Sequence, residues 1–411
     1  MSTVLEQARL NILDRTLDPD GHEMAPSHLW GQIFGPSARR IAELTEPMLK
    51  KLGGNNIYNP DLKDDSADIT HDNVWHIRGT GAPAAFDFNR RLAVMDAMGI
   101  KRQLIFPTFA ITASVLATGT EHTLRVQLGL TLPEAELREL GRSGIEEYND
   151  WVIRATRYDS DRLRGVAYVI DNGTVDDLLK QTRRLIDAGA RAINVRSGTP
   201  PGGVSPADSS LDPFWSMVEQ LNVPVLLHVG NEYGFLKSSV WGKASAFAAG
   251  KVQSTEIGLE PYSMSTLHLA ASHFLTTMIL GGVFERFPRL RFGVIETGCL
   301  WLGPLAESLD MWARDVYSVR LKPFISMLPS EYLARNVRVT PFNNFEPCEQ
   351  HLARYPNLQD CYCYSTDYPH IEGGKDIKEV FAQKVAPLGY DVMEKFFVTN
   401  AKWLMPDVEK A

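Results

Sequence analysis

The sequence predicts an α/β fold, and within that class a (β/α)8 TIM barrel with an insertion after the first strand and a long loop after the fifth. Three observations predict it. Eight short apolar runs recur along the 411 residues, many of them rich in β-branched or aromatic side chains. Longer amphipathic stretches separate several of them, and strands alternating with helices imply parallel pairing through crossovers. Eight is also the number of strands that closes such a barrel. An open doubly wound sheet is the alternative use of the same alternation. With no internal repeat and no low-complexity segment, residues 1–411 read as a single barrel domain.

The runs, in order, are Ile12 to Leu17, QLIFP (103–107), GVAYVI (165–170), AINV (192–195), VPVLLH (223–228), RFGVIE (291–296), VRVTP (337–341) and CYCYST (361–366). Between them, TVDDLLKQTRRLIDAGA (174–190) has apolar residues at helical spacing, an acidic start and a closing Gly189. LDPFWSMVEQLN (211–222) is a shorter helix, with Asp212 and Pro213 as its N-cap and first helical residue. GPLAESLDMWARDVY (303–317) follows the sixth run as a third. Residues 31–95 separate the first two runs by far more than a loop and form an insertion or lid. It holds the Gly53–Gly54–Asn55–Asn56 cluster and the polar stretch Asp61–Asp72. Residues 229–262, rich in Gly, Ser and Ala, form a second candidate lid.

Composition excludes several classes of function. Hydrophobic residues are 44% and charged residues 22%, so disorder over most of the chain is excluded. Acids outnumber bases by 50 to 42, for a net charge of −8, which argues against a nucleic-acid partner. No stretch approaches the roughly 20 apolar residues that cross a bilayer. The start, MSTVLEQARL, lacks a secretory pattern, and four cysteines are too few for a disulfide scaffold. A cytoplasmic enzyme acting on a small molecule, with no membrane partner, is the expectation.

Catalytic groups of a barrel stand just after the C-terminal ends of its strands. Those positions hold Asp18, Asp20, His22 and Glu23 after the first run, Arg196 after the fourth, and His228 after the fifth. Glu296 follows the sixth, and Asp367, Tyr368 and His370 follow the eighth. Each alone has an ordinary structural reading: a satisfied histidine, a turn residue beside Pro19 for Asp18, a cap or ion pair for Glu23. As a set on one face, imidazoles and carboxylates suit a divalent ion, Zn, Mn or Fe, at one or two per chain. Asp20 and His22 are two apart, so both can face inward from an extended segment. Arg196 can hold a substrate carboxylate through its planar fork. Trp30, Tyr368, Phe106, Phe109 and Trp241 are candidates for an aromatic-friendly pocket, with packing the plainer reading of Phe106. No nucleophile elbow, P-loop or dinucleotide fingerprint is present.

Several segments resemble the amidohydrolase-related family, in the branch that includes aminocarboxymuconate semialdehyde, resorcylate and carboxyvanillate decarboxylases. They are DPDGHEMAPSHLW, VPVLLHVG, LGGVFERFPRLRFGVIETGCLWLG, LPSEYLARNVRVTP, YSTDYPHIEGG and FFVTNAKWLM. The likeness covers most of residues 10–30 and 85–408. It implies metal ligands at Asp20, His22, His228 and Asp367, and a homo-oligomer, since relatives are often dimers or tetramers. One position departs from the pattern: where the decarboxylases end their sixth strand in a catalytic His, this chain has Glu296. Arg196 replaces the lysine that would carry a carbamate bridge in two-metal relatives, and Glu296 is a conceivable bridging ligand instead.

Two activities follow from the resemblance. The first is hydrolysis of a carbonyl-containing acid, ester, amide or thioester by a metal-activated water, with Asp367 or Glu296 moving the proton and His370 orienting Asp367 or a substrate oxygen. The alternative is non-oxidative decarboxylation of an aromatic or unsaturated acid, with Asp367 as the acid. Glu296 favours the first, because a carboxylate cannot stabilise developing negative charge as imidazolium does.

Overall fold

A computed structural model describes residues 2–50, 57–121, 123–230, 232, 235–236, 239–247 and 261–408. The Gly53–Asn56 cluster and most of the second candidate lid lie outside the described residues. Seven parallel strands pair in chain order: β1 (Thr16–His22), β2 (Ile100–Phe106), β3 (Leu163–Tyr168), β4 (Ala192–Asn194), β5 (Val225–His228), β6 (Phe292–Ile295) and β7 (Val337–Val339). The eighth run and the residues just after it touch the two edges of this sheet through single bridges, Tyr362 with Val339 and Tyr368 with Gly21. The curled sheet is therefore TIM-barrel-like, but the eighth run contributes no ladder of its own.

The first run also needs correction. A helix, Ser2–Leu13, takes its apolar half, and β1 starts at Thr16 and runs through Asp18, Pro19 and Asp20. Polar residues and a proline read as a turn, yet every residue of the strand is buried. Proline cannot donate to a ladder, and the β1–β2 register slips between Asp18 and Gly21. The bulge takes Pro19 and Asp20 out of the ladder.

Side chains do the work that a ladder would do at the closure. The Asp18 carboxylate accepts from Thr366 N at 2.9 Å, Thr366 Oγ1 at 2.5 Å and Gln103 Nε2 at 2.6 Å. Gln103 runs directly over Gly21, where a Cβ would lie 2.4 Å from its Cδ, so only glycine fits there. Arg91, fully buried on the helix Arg91–Met98, donates to Gln103 Oε1 (2.9 Å), Ala84 O (2.9 Å), His22 O (2.7 Å) and Tyr368 O (3.1 Å). One guanidinium thus joins the insertion, β1, β2 and the eighth run.

Inside the ring, Leu17, Leu104, Val166, Ala192, Leu226, Ile295 and Cys363 form one cluster, closed by Leu404 and Met405 near the C-terminus. The larger core lies between strands and helices. The helix expected over 174–190 spans Val175–Ala188, with the Thr174 side chain accepting from Asp177 N and Gly189 in the left-handed region at φ 117°. The second helix is Asp212–Gln220, with Asp212 as its first helical residue rather than its cap. The third is Leu302–Met311, continued by a π-helical turn at Trp312–Val316. Among the described residues no helix is long and apolar enough to cross a membrane.

Arg91→Met removes a buried cation and strands its four acceptors. It should lower unfolding stability by roughly 3–5 kcal/mol, measured by urea denaturation.

Candidate functional site

The C-terminal strand ends gather the expected residues into two overlapping buried groups. Asp20, His22, His228 and Glu296 place one ligand atom each within 4.8 Å of one another, as do His22, Glu296, Asp367 and His370. His22 Nε2 lies 3.3 Å from Asp20 Oδ1, 3.4 Å from Asp367 Oδ1 and 4.0 Å from Glu296 Oε2. His228 Nε2 lies 3.4 Å from Asp20 Oδ1 and 3.3 Å from Glu296 Oε2. Glu296 and His22 belong to both groups, so Glu296 is more central than the resemblance implies. Asp367 groups with His370 rather than with Asp20 and His228.

Backbone and neighbours fix these side chains. The Nδ1 of His228 is 3.0 Å from its neighbour's carbonyl, Val229 O, which turns Nε2 toward the carboxylates. Phe106 lies under the imidazoles, its ring 4.3 Å from that of His228, so its role is packing. His22 and His370 stack at 3.8 Å. Glu296 and Asp367 adopt left-handed backbone, at φ 55° and 50°, which non-glycine residues rarely do. Such strain concentrates where function requires a side chain to be aimed. His370 Nδ1 sits 2.9 Å from Asp367 Oδ1, and its Nε2 is 2.8 Å from Thr108 Oγ1.

Three carboxylates share this space with little solvent. Burial, then repulsion from Asp367 and Asp20, pushes Glu296 well above the usual carboxylate range. Burial is also the main influence on Asp367, pushing it up to about 7 despite the His370 contact. On Asp20 burial is outweighed by hydrogen bonds from His22 and His228, which hold it below the usual range. Burial and the charge of His370 push His22 well below its ordinary value, so its imidazole is neutral. Asp20 Oδ2, Glu296 Oε2 and both Asp367 oxygens lack a hydrogen bond of good geometry among the described residues. These buried carboxylate oxygens, facing the neutral imidazole of His22 and the ring nitrogen of His228, form a donor set that fits a divalent cation.

The remaining candidates sit elsewhere. Trp30 is fully buried, gives its N–H to Ala25 O at 2.8 Å and packs on Phe109, so its indole is occupied in the core. Tyr368 is also fully buried, with its hydroxyl on Pro83 O and its ring beneath Arg91 and Arg78. Arg196 joins neither group; it lines a separate cavity of about 30 Å³ with Asp171 and Thr199. Trp241 is 70% exposed. Glu23 is a cap: it accepts from Thr108 N (2.9 Å) and Phe109 N (2.7 Å) at the start of the helix Phe109–Thr118.

Two residues escape a reading of strand ends alone. Thr108 follows β2, a strand end that offers no acid or histidine to attract notice. Arg78 lies in the insertion, buried, with one nitrogen on Gly374 O. Its Nε and Nη1 have no hydrogen-bond partner among the described residues, and it interacts electrostatically with Asp367. Only the fold brings it to the eighth run.

Cation binding must displace protons from groups held near or above neutrality. Affinity for Mn²⁺ or Zn²⁺ should therefore weaken as pH falls below about 7, the value toward which Asp367 is pushed. Binding near neutral pH should release protons, detectable as a buffer-dependent enthalpy in titration calorimetry.

The family model described as amidohydrolase matches residues 70–404, a range that begins after β1 and its Asp20 and His22. No curated protein matches the chain. Among solved structures, an amidohydrolase from Mycobacterium avium subsp. paratuberculosis superposes with a TM-score of 0.62 at 20% identity, covering 95% of this chain and 99% of its own. A 5-carboxyvanillate decarboxylase from Novosphingobium aromaticivorans, with bound manganese and 3-methoxy-4-hydroxy-5-nitrobenzoic acid, gives 0.55 at 17% identity, covering 95% and 97%. A dihydroxybenzoic acid decarboxylase from Polaromonas, with manganese and 2-nitroresorcinol, gives 0.51 at 14% identity, covering 95% and 96%. At these identities the likeness is one of fold. With the family model matching most of its length, the chain belongs to the amidohydrolase family.

Proposed function

We propose that this protein is a metal-dependent carboxy-lyase that removes CO2 from an aromatic or unsaturated carboxylic acid without an oxidant. The observation that carries this reading is the Asp367–His370–Thr108 chain beside the cluster of Asp20, His22, His228 and Glu296. It is supported by the shared fold with two manganese-containing decarboxylases holding nitro-substituted aromatic ligands.

Asp20, His22 and His228 would hold the cation, with Glu296 and Asp367 facing the same space. A divalent ion bound there supplies Lewis acidity toward a substrate carboxylate and a neighbouring oxygen. The protein's own residues do the rest. Decarboxylation breaks the bond to the departing CO2, leaves its electron pair on carbon, and needs a proton to replace it. Asp367 supplies that proton, with the imidazole of His370 2.9 Å from its Oδ1. His370 orients Asp367 and returns a proton to it, and Thr108 fixes the ring of His370. Arg78 offers two unpaired guanidinium nitrogens to an anionic group of the substrate. The insertion that carries Arg78 is tied to the segment after the eighth run by Gly79 N donating to Pro369 O at 2.8 Å.

A second reading, hydrolysis, is favoured by one observation. Glu296 stands where the resembled decarboxylases carry a histidine, and a carboxylate there can take a proton from water.

Manganese-loaded protein should release CO2 from a hydroxybenzoate or a related acid in D2O and place deuterium on the carbon that bore the carboxylate. Incorporation of ¹⁸O from labelled water into an acid product, with no CO2, would establish hydrolysis instead. Asp367→Asn should lower kcat by about 10²–10⁴-fold. Thr108→Ala, which removes only the hydroxyl behind His370, should lower it by roughly 10-fold.

A further inference from the structure

The helix Phe109–Thr118 does not use its own cap. Thr108 stands at the N-cap, where a threonine hydroxyl ordinarily accepts from the N–H two or three residues on. Thr108 makes no such bond. Its Oγ1 is instead 2.8 Å from Nε2 of His370. A buried helix start with unmet donors is costly, and here another segment meets them. The Glu23 carboxylate, fully buried, reaches across from the end of β1. Its Oε1 accepts from Thr108 N at 2.9 Å and Phe109 N at 2.7 Å, and its Oε2 from Ala25 N at 3.2 Å. Two tasks that could fall to one threonine are divided between two residues.

We propose that Glu23 is a positioning residue for the proton-carrying chain. By capping the helix it leaves the Thr108 hydroxyl to hold His370, and His370 in turn holds Asp367 at 2.9 Å. Two partners compete for that hydroxyl, the N–H groups at the helix start and the imidazole. In its observed rotamer Thr108 serves only the imidazole. Thr108 and His370 are each 3% exposed, so bulk water offers no substitute acceptor to a helix start that has lost Glu23. The hydroxyl is the nearest replacement, and taking it releases His370. Glu23 is also firmly placed. It directly follows His22, and its N–H donates to Phe106 O at 3.4 Å in continuation of the β1–β2 pairing. One peptide bond thus ties His22 of the cation group to the residue that frees Thr108. The effect on turnover rests on the carboxy-lyase reading, whereas the switch of hydrogen bonds does not.

The test pairs crystal structures with steady-state kinetics of the full chain. In Glu23→Ala the Thr108 side chain should turn back on its own helix, with Oγ1 beyond about 3.5 Å from His370 Nε2 and bonded to Ala110 N or Ile111 N. In Glu23→Gln the amide oxygen keeps the helix capped, and the hydroxyl should stay near its 2.8 Å position. With manganese and an acid that the wild type decarboxylates, Glu23→Ala should lower kcat about 10-fold and leave KM within about 2-fold. Glu23→Gln should restore kcat to within about 3-fold of wild type. Glu23→Ala/Thr108→Val should lose no more kcat than Thr108→Val alone, because both changes remove the same bond. Should Glu23→Ala not fold, Glu23→Asp, a methylene too short to reach the helix amides, carries the same expectations. A Thr108 hydroxyl that stays on His370 without Glu23 overturns the proposal. So do losses that multiply to about 100-fold in the double variant, which independent roles would give. If no acid loses CO2 and Thr108 still turns in Glu23→Ala, the positioning role stands and the carboxy-lyase reading falls.

Discussion

The structure depends on how the ring closes between β1 and the eighth run. A strand pair would normally be held by a ladder of backbone hydrogen bonds, but here only single bridges connect Tyr368 to Gly21 and Tyr362 to Val339. The Asp18 carboxylate substitutes, taking three donors from Thr366 and Gln103, while Arg91 clamps the carbonyls of His22 and Tyr368 from outside. That closure sets the spacing between two segments that carry most of the site. Asp20 and His22 leave one side of it, Asp367 and His370 the other. The Pro19 bulge and the absence of a Cβ at Gly21 are local conditions for the same closure.

The closure in turn creates an electrostatic problem that the site's chemistry answers. Asp20, Glu296 and Asp367 are buried together, and their mutual repulsion adds to the burial that raises Glu296 and Asp367. His22 is held neutral, so it does not compensate them. A divalent cation bound there would relieve the repulsion, with the Nε2 of His228 and the unpartnered carboxylate oxygens as its donors. The left-handed backbone at Glu296 and Asp367 is the conformational cost of aiming them inward.

Much of this was legible in the sequence, for identifiable reasons. Runs two to seven read as strands because buried parallel strands are short, apolar and β-branched. Val175–Ala188 read as a helix because its period and both of its ends agree. The metal-type residues were legible because barrel chemistry sits at strand ends. β1 was misread because its polar residues are satisfied by partners far away in sequence, at Gln103 and Thr366. The eighth run was overread as a strand because its composition fits one, while its pairing is replaced by side chains. Trp30 and Tyr368 looked like pocket aromatics, but their polar atoms are spent on Ala25 O and Pro83 O. Arg78 and Thr108 were invisible because their importance comes only from what the fold sets beside them.

The proposed function requires that the two overlapping groups act as one metal centre. Anomalous difference density from a crystal of manganese-loaded protein tests it most directly. A peak is expected that is bounded by Asp20, His22 and His228, with Glu296 or Asp367 completing the ligands. No peak there in fully loaded protein, or a peak only at a site elsewhere on the chain, would contradict it.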